Sequence, residues 1–389
     1  MLVTGENRVK FKGKKLVLLV SLLVVITITL GVLAGCAGGI TPVGWSGGAV
    51  ANGFLYIGSN QGRLTSINLS DNSILRAEPF RIQAQGGLLG CSLGCNSGPT
   101  SVPIYGTPVI SGDTVYVAGY NGQIAAYRSD NLAQRWIYPS GTTYLQPFVG
   151  GAVVFDNKLF IGGSDDSVYA LDTQTGALLK KFKTGDRIWG TPTVDAASKT
   201  LFIGSYDKKL YALNTDDLTL KWSYTTTGSI ISTPLVNNGL VYFGSFDKNL
   251  YAVKITDGTL AWKFSGGNWF WAKPEILNGV LYAACLDHFV YALDPTTGAA
   301  VHDAYDLKSA VASAPAIVDN LIVFASRDGV IYKIDSTTQE ISVVIELNIE
   351  VDGPLTAHDG IVYIHPQGIL LERVNPVTGA QLPAISLQS

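Results

Sequence analysis

The 389-residue sequence predicts an all-β fold, an eight-bladed β-propeller of four-stranded antiparallel blades, and three observations carry that expectation. First, the stretch from Gly204-Ser205-Tyr206-Asp207 to Leu210-Tyr211-Ala212-Leu213-Asn214 recurs. Its second tyrosine has counterparts at Tyr169, Tyr251, Tyr291 and Tyr332, so the spacings are 42, 40, 40 and 41 residues. Weaker copies place Thr65, Ala125 and Glu372 at the same position, which makes eight units. Second, each unit holds four short runs rich in Val, Ile, Tyr, Phe and Trp between turn residues, as in Thr191 to Val194, Leu201 to Gly204, Leu210 to Asn214 and Leu220 to Tyr224. Such runs read as strands. Third, beyond the N-terminal segment no stretch offers a helical period. Units of about 40 residues with four antiparallel strands each are the sign of propeller blades.

The N-terminus differs in composition from the rest. A basic segment (Arg8, Lys10, Lys12, Lys14, Lys15) precedes an apolar run from Leu16 to Leu33, the pattern of an export signal. It ends in Leu33-Ala34-Gly35-Cys36, which resembles the bacterial lipobox. That resemblance implies a signal peptide over 1–35 and lipidation of Cys36 as the mature N-terminus; a short tether over 36–39 then leads into the repeats, which give a propeller over 40–389. The rival is an uncleaved anchor, since about 20 apolar residues span a bilayer. Both readings put the body outside the cytoplasm and hold it to a membrane. With Ala37 after the cysteine, the placement is the bacterial cell envelope, at the outer membrane in a two-membrane cell.

The net charge of −3 gives no electrostatic case for nucleic acid. The first and second units are separated by an insertion, about 76–105, that carries Cys91 and Cys95 in a glycine-rich stretch. In an oxidising compartment these two are expected to form a local disulfide. Such a short closed loop contributes on the order of 2 kcal/mol at best. Cys285 replaces the serine of other repeats and is expected as a small buried residue.

The stretch Ala252-Val253-Lys254-Ile255-Thr256-Asp257-Gly258-Thr259-Leu260-Ala261-Trp262 resembles the tryptophan-docking (PQQ-like) repeat of quinoprotein-type propellers, with its Ala first, Gly seventh and Trp eleventh. Ala170 with Gly176 and Ala292 with Gly298 keep the first two marks, with Lys180 and His302 in place of the tryptophan. Ala212 with Trp222 and Ala126 with Trp136 keep the outer two. The resemblance implies packing between blades: Ala admits a ring, Gly turns the chain and Trp fills the gap. It covers the mature chain and includes two kinds of relative. Quinoprotein dehydrogenases would imply pyrroloquinoline quinone with calcium, but the chain has no adjacent cysteines and none of their calcium ligands or catalytic aspartate can be placed on it. BamB-type lipoproteins of outer-membrane β-barrel assembly share the layout, a lipobox followed by eight blades.

The residues offer no catalytic constellation and no metal site. His288, His302, His358 and His365 fall in three units at no ligand spacing. Asp165, Asp207, Asp247, Asp287 and Asp328 are expected in the hairpin between second and third strands, bonded to the turn's own backbone. Aligning the units on the proline that opens the first strand puts Tyr105, Tyr144, Trp189, Ile231, Trp271, Ala312 and Val351 three residues before it, and Trp45 at the matching place in unit one. Antiparallel topology sets these loops and the aspartate hairpins on one face. Two readings stand: rings packed between blades near the axis, or a binding mouth in which Trp269, Phe270, Trp271, Arg187, Trp189, Tyr105, Tyr144 and Trp45 meet a partner or ligand. The function expected is a non-catalytic, lipid-anchored scaffold binding another envelope or membrane protein. The alternative is a quinone-dependent dehydrogenase or small-ligand binder using the axial channel.

Overall fold

The computed structural model describes residues 46–59, 61–82, 100–141 and 144–388. The signal segment, Cys36, Trp45, Cys91 and Cys95 therefore lie outside the described residues. Eight four-stranded antiparallel sheets span 48–76, 109–138, 153–183, 193–225, 235–265, 275–306, 316–346 and 356–386. Blade four contains Thr193–Asp195, Thr200–Gly204, Lys209–Asn214 and Leu220–Thr225, within two residues of the runs read from sequence. The base of the insertion adds one small ribbon, Arg81–Ile82 paired with Thr100–Ser101.

First strands surround the centre. Gly48–Ala51 touches both Val109–Ser111 of the second blade and Thr356–His358 of the eighth, which closes the ring. Second and third strands are buried almost throughout, while fourth strands such as Leu178–Lys183 face solvent. The core lies between blades: Phe160, Val168 and Ala170 of the third pack on Leu201, Ile203 and Leu213 of the fourth. Each sheet thus buries both faces against its neighbours, and the core grows blade by blade.

The docking marks act across these interfaces. The Nε1 donors of Trp136, Trp222 and Trp262 each reach a carbonyl of the next blade, Thr173, Ile255 and Pro295, at 2.9 Å. Their rings lie on Gly176, Gly258 and Gly298, where an added Cβ would come within 2.5–2.6 Å of the indole. The alanine faces the tryptophan across its own sheet, as in Ala252↔Trp262, so it makes room for its own blade's ring. The seventh position keeps a positive φ in every blade, including those without glycine: Asn72 (59°), Leu132 (55°), Leu218 (60°) and Gln339 (61°). The turn is obligatory and the glycine is not. Where the tryptophan is missing, other donors serve. In blade seven, with Val343 at the eleventh position and Lys333 at the first, the lysine Nζ donates to Pro376 O at 2.7 Å, the carbonyl equivalent to those the indoles reach. In blade six His302 stays exposed and stacks on Tyr305, whose hydroxyl donates to Gln339 of the next turn at 2.8 Å.

Among the described residues no strand crosses between the first and last blades. The eighth supplies its own fourth strand, Gln381–Ser386. Side chains close the seam. Gly48 N donates to Thr356 Oγ1 at 2.9 Å, Arg373 Nη1 to Asn72 Oδ1 at 2.8 Å and Arg76 Nη2 to Gln388 O at 2.7 Å, around Leu55, Ile57, Ile67, Leu371 and Ile385. His365 is also buried here, its Nδ1 3.2 Å from Ser46 O. Burial holds its pKa below the ordinary imidazole value. A histidine depressed on folding contributes stability above its unfolded pKa, about 6.5, that is lost as pH falls through the folded value. The melting temperature is therefore expected to fall on acidification below about pH 6.5, and to fall less in His365→Gln. Equal acid sensitivity of the two proteins would place the effect elsewhere.

Candidate functional site

The loops that enter the first strands and the hairpins between second and third strands meet on one face. The aspartates join the two sets. Asp207 Oδ1 accepts from Lys209 N within its turn at 3.0 Å, while Oδ2 accepts from Tyr211 Oη at 2.6 Å and from Gly185 N in the incoming loop at 2.7 Å. Asp247 and Asp287 repeat this with Tyr251 and Thr227, and with Tyr291 and Gly267. The repeat's marker tyrosine is thus the partner of its aspartate. Burial, then the adjacent carboxylate, pushes the Tyr211, Tyr251 and Tyr291 hydroxyls well above the ordinary phenol range. Asp328 instead accepts from Ser326 Oγ at 2.6 Å. The expected bond to the turn's own backbone holds for Asp207, Asp247 and Asp287 and not for Asp328 or for Asp165, which accepts from Tyr169 and Lys181 side chains; the tie to the neighbouring loop is an addition to it. Among the described residues no group of three His, Cys, Asp or Glu side chains gathers as a metal site.

With the loops fixed, the rings converge on the axis. A cavity of about 250 Å³ opens there, lined by Tyr105, Trp189, Ile231, Trp271, Lys273 and Asp352 among others. Tyr105 packs edge-on to Tyr120 at 5.4 Å, and Trp189 edge-on to Tyr206 at 4.9 Å. Phe246 stacks on Trp269 at 4.1 Å and lies 5.7 Å from Trp271. Arg187 covers Trp189 and Tyr206, its guanidinium carbon 5.0 and 4.5 Å from their centroids. Burial raises the Tyr206 hydroxyl to about 12 although Arg187 opposes the shift.

Of the candidate residues, Tyr105, Trp189 and Trp271 line the cavity; Arg187 covers Trp189 without lining it, and Trp269, 39% exposed, stacks on Phe246 outside the lining. Tyr144 is exposed beside blade three without lining the cavity. Phe270 is the correction: at 1% exposure it packs against Tyr291 and the Gly244 backbone, so no partner can reach it. Alternation along the loop sends its ring inward while Trp269 and Trp271 face out. Cys285 is buried, and burial raises its thiol to about 12, as suits the small packing residue expected. The sequence reading missed Tyr120, Tyr206 and Phe246. Their signal was available, because Tyr206 and Phe246 each directly precede the hairpin aspartate.

Docked indoles, positive-φ turns and an eight-bladed ring define a quinoprotein-type, PQQ-like repeat propeller. Within that class, the chain belongs to the family of the outer membrane protein assembly factor BamB, whose family model matches residues 37–181 and 164–269. Among the solved structures that share the fold are these three. BamB from Moraxella catarrhalis is 18% identical, with a TM-score of 0.64 over 82% of this chain and 93% of that one. The computationally designed Ika8 protein is 13% identical, with a TM-score of 0.68 over 84% and 94%. A europium-containing methanol dehydrogenase is 12% identical, with a TM-score of 0.66 over 83% and 82%. At these identities the likeness is one of fold. No curated protein matches the chain.

Proposed function

We propose that this protein is a non-catalytic, lipid-anchored scaffold of the bacterial cell envelope that binds another envelope protein in outer-membrane protein assembly. Cys36 is its anchor, residues 1–35 its signal peptide and 36–39 its tether. The observation that carries the reading is the run of partly exposed rings with Arg187 at the mouth, because aromatic side chains and arginine make up most interface hot spots. Membership of the BamB family supports the same role.

The axial cavity favours testing the dehydrogenase reading on its donors. Pyrroloquinoline quinone carries three carboxylates, and among the described residues the one ammonium lining the cavity, Lys273, is paired with Glu275. Asp352 adds a negative charge at the same wall. This donor set supports the non-catalytic reading over the dehydrogenase one.

A crosslinking pull-down from native membranes is expected to capture an envelope protein, and a radioactive fatty acid is expected to label the wild type but not Cys36→Ser. Absence of label on the wild type would remove the anchor. Dye reduction with alcohols after adding pyrroloquinoline quinone and calcium would overturn the non-catalytic role.

A further inference from the structure

The mouth has two unlike halves. Blades two, four, five and six supply its rings. In blades seven and eight the ring positions are occupied by Ala312 and Val351, and carboxylates stand around them instead. Asp328, at its hairpin, and Glu346 and Glu350, in or beside the entering loop, are exposed, whereas Asp352 faces the cavity with its side chain 15% exposed. Gln367 Nε2 donates to both Glu350 Oε2 and Asp352 Oδ2, each at 2.8 Å, and so draws two carboxylates to one neutral amide. The cations on this arc are Arg327, whose Nε is 3.3 Å from Asp352, and Lys308, held by Asp306 at 2.7 Å. Ile349, 39% exposed, stands beside Glu350. Negative charge therefore exceeds positive around Val351, while on the other half the rings and Arg187 stand among aspartates already bonded to tyrosine hydroxyls and loop amides.

We propose that the partner presents a basic polypeptide segment to this mouth: an apolar side chain enters the cavity against Trp189 and Trp271, and an adjacent lysine or arginine lies across Glu350 and Asp352. The inference rests on the docking role proposed above and names the chemistry of what docks. The two halves ask for different things. Rings in a desolvated pocket supply affinity. Carboxylates at the rim supply orientation and association rate, and select against acidic segments, because like charges brought together are costly. A guanidinium can meet two carboxylate oxygens at once in charge-assisted bonds, which Gln367, as a neutral amide, cannot match.

The probes are three short synthetic peptides with the same central Leu-Phe pair, flanked by arginines, by glutamines or by glutamates, titrated against the full chain by fluorescence anisotropy. The arginine peptide is expected to bind about tenfold more tightly than the glutamine peptide at low salt, with that advantage shrinking as salt screens it. In the double variant Glu350→Gln, Asp352→Asn the advantage should vanish while the glutamine peptide binds as before, and an unchanged melting temperature shows that the fold is intact. Equal binding of all three peptides, preference for the glutamate peptide, an advantage that survives in the double variant, or no binding at all each overturns the inference. If Trp269 still crosslinks to an envelope protein in that event, the docking role stands and only the basic character of the segment falls.

Discussion

Replacing Trp262 with alanine is expected to lower the unfolding free energy by about 3–5 kcal/mol, the usual cost of truncating a buried aromatic. The indole is 7% exposed, lies on Gly298 of the next blade and donates to Pro295 O at 2.9 Å. Its contact with Tyr242, 5.8 Å between centroids, would be lost as well. Pro295 O also accepts from Tyr242 Oη at 3.0 Å, so the carbonyl keeps a partner and the loss is mainly one of packing. Denaturant unfolding of the two proteins measures it. A loss below about 1 kcal/mol, the range of a surface change, would show that blades five and six are held by strand packing alone.

Trp269→Ala should behave in the opposite way. This indole is 39% exposed and its main contact is one stacked face on Phe246. Stability should change by no more than about 1 kcal/mol, while affinity for the partner falls by about 2 kcal/mol or more, roughly thirtyfold in Kd. A melting curve and one binding titration separate the outcomes. A large stability loss with unaltered affinity would end the idea that this ring is an anchor.

Much of the fold is legible because a propeller repeats itself in sequence. The period locates the blades, and alternating apolar runs locate their strands. What the residues hide is the exchange of one device for another. Lys333 has no resemblance to a tryptophan, yet it reaches the carbonyl that an indole reaches elsewhere, since the geometry requires only a donor of sufficient length. Leu132, Leu218 and Gln339 adopt the left-handed turn that glycine marks in other blades, and each backbone N–H there donates to the carbonyl four residues back, Arg128, Asn214 and Asp335, which closes the turn. At the mouth, the spacing before each proline identified Tyr105, Trp189 and Trp271, but three aromatics in a row could not show which way each one points. Phe270 turned inward for that reason. Tyr206 and Phe246 stand in the hairpin, outside the spacing before each proline, and only the folded face brings them beside those rings.

The side-chain seam between the first and last blades also orders events in time. Neighbouring blades meet across about 40 residues of chain, whereas the contacts that close the ring join residues 301–312 apart. On loop-closure entropy alone the longer connection costs about 2 kcal/mol more. Closure is also impossible before Gln381–Ser386 has left the ribosome. Blades can accumulate as the chain is synthesised, but until the last one arrives the apolar flank formed by Leu55, Ile57 and Ile67 has no cover. Substitutions at Thr356 or Arg373 should therefore slow the final folding phase and prolong an open ring whose bare flank can capture the eighth blade of another copy.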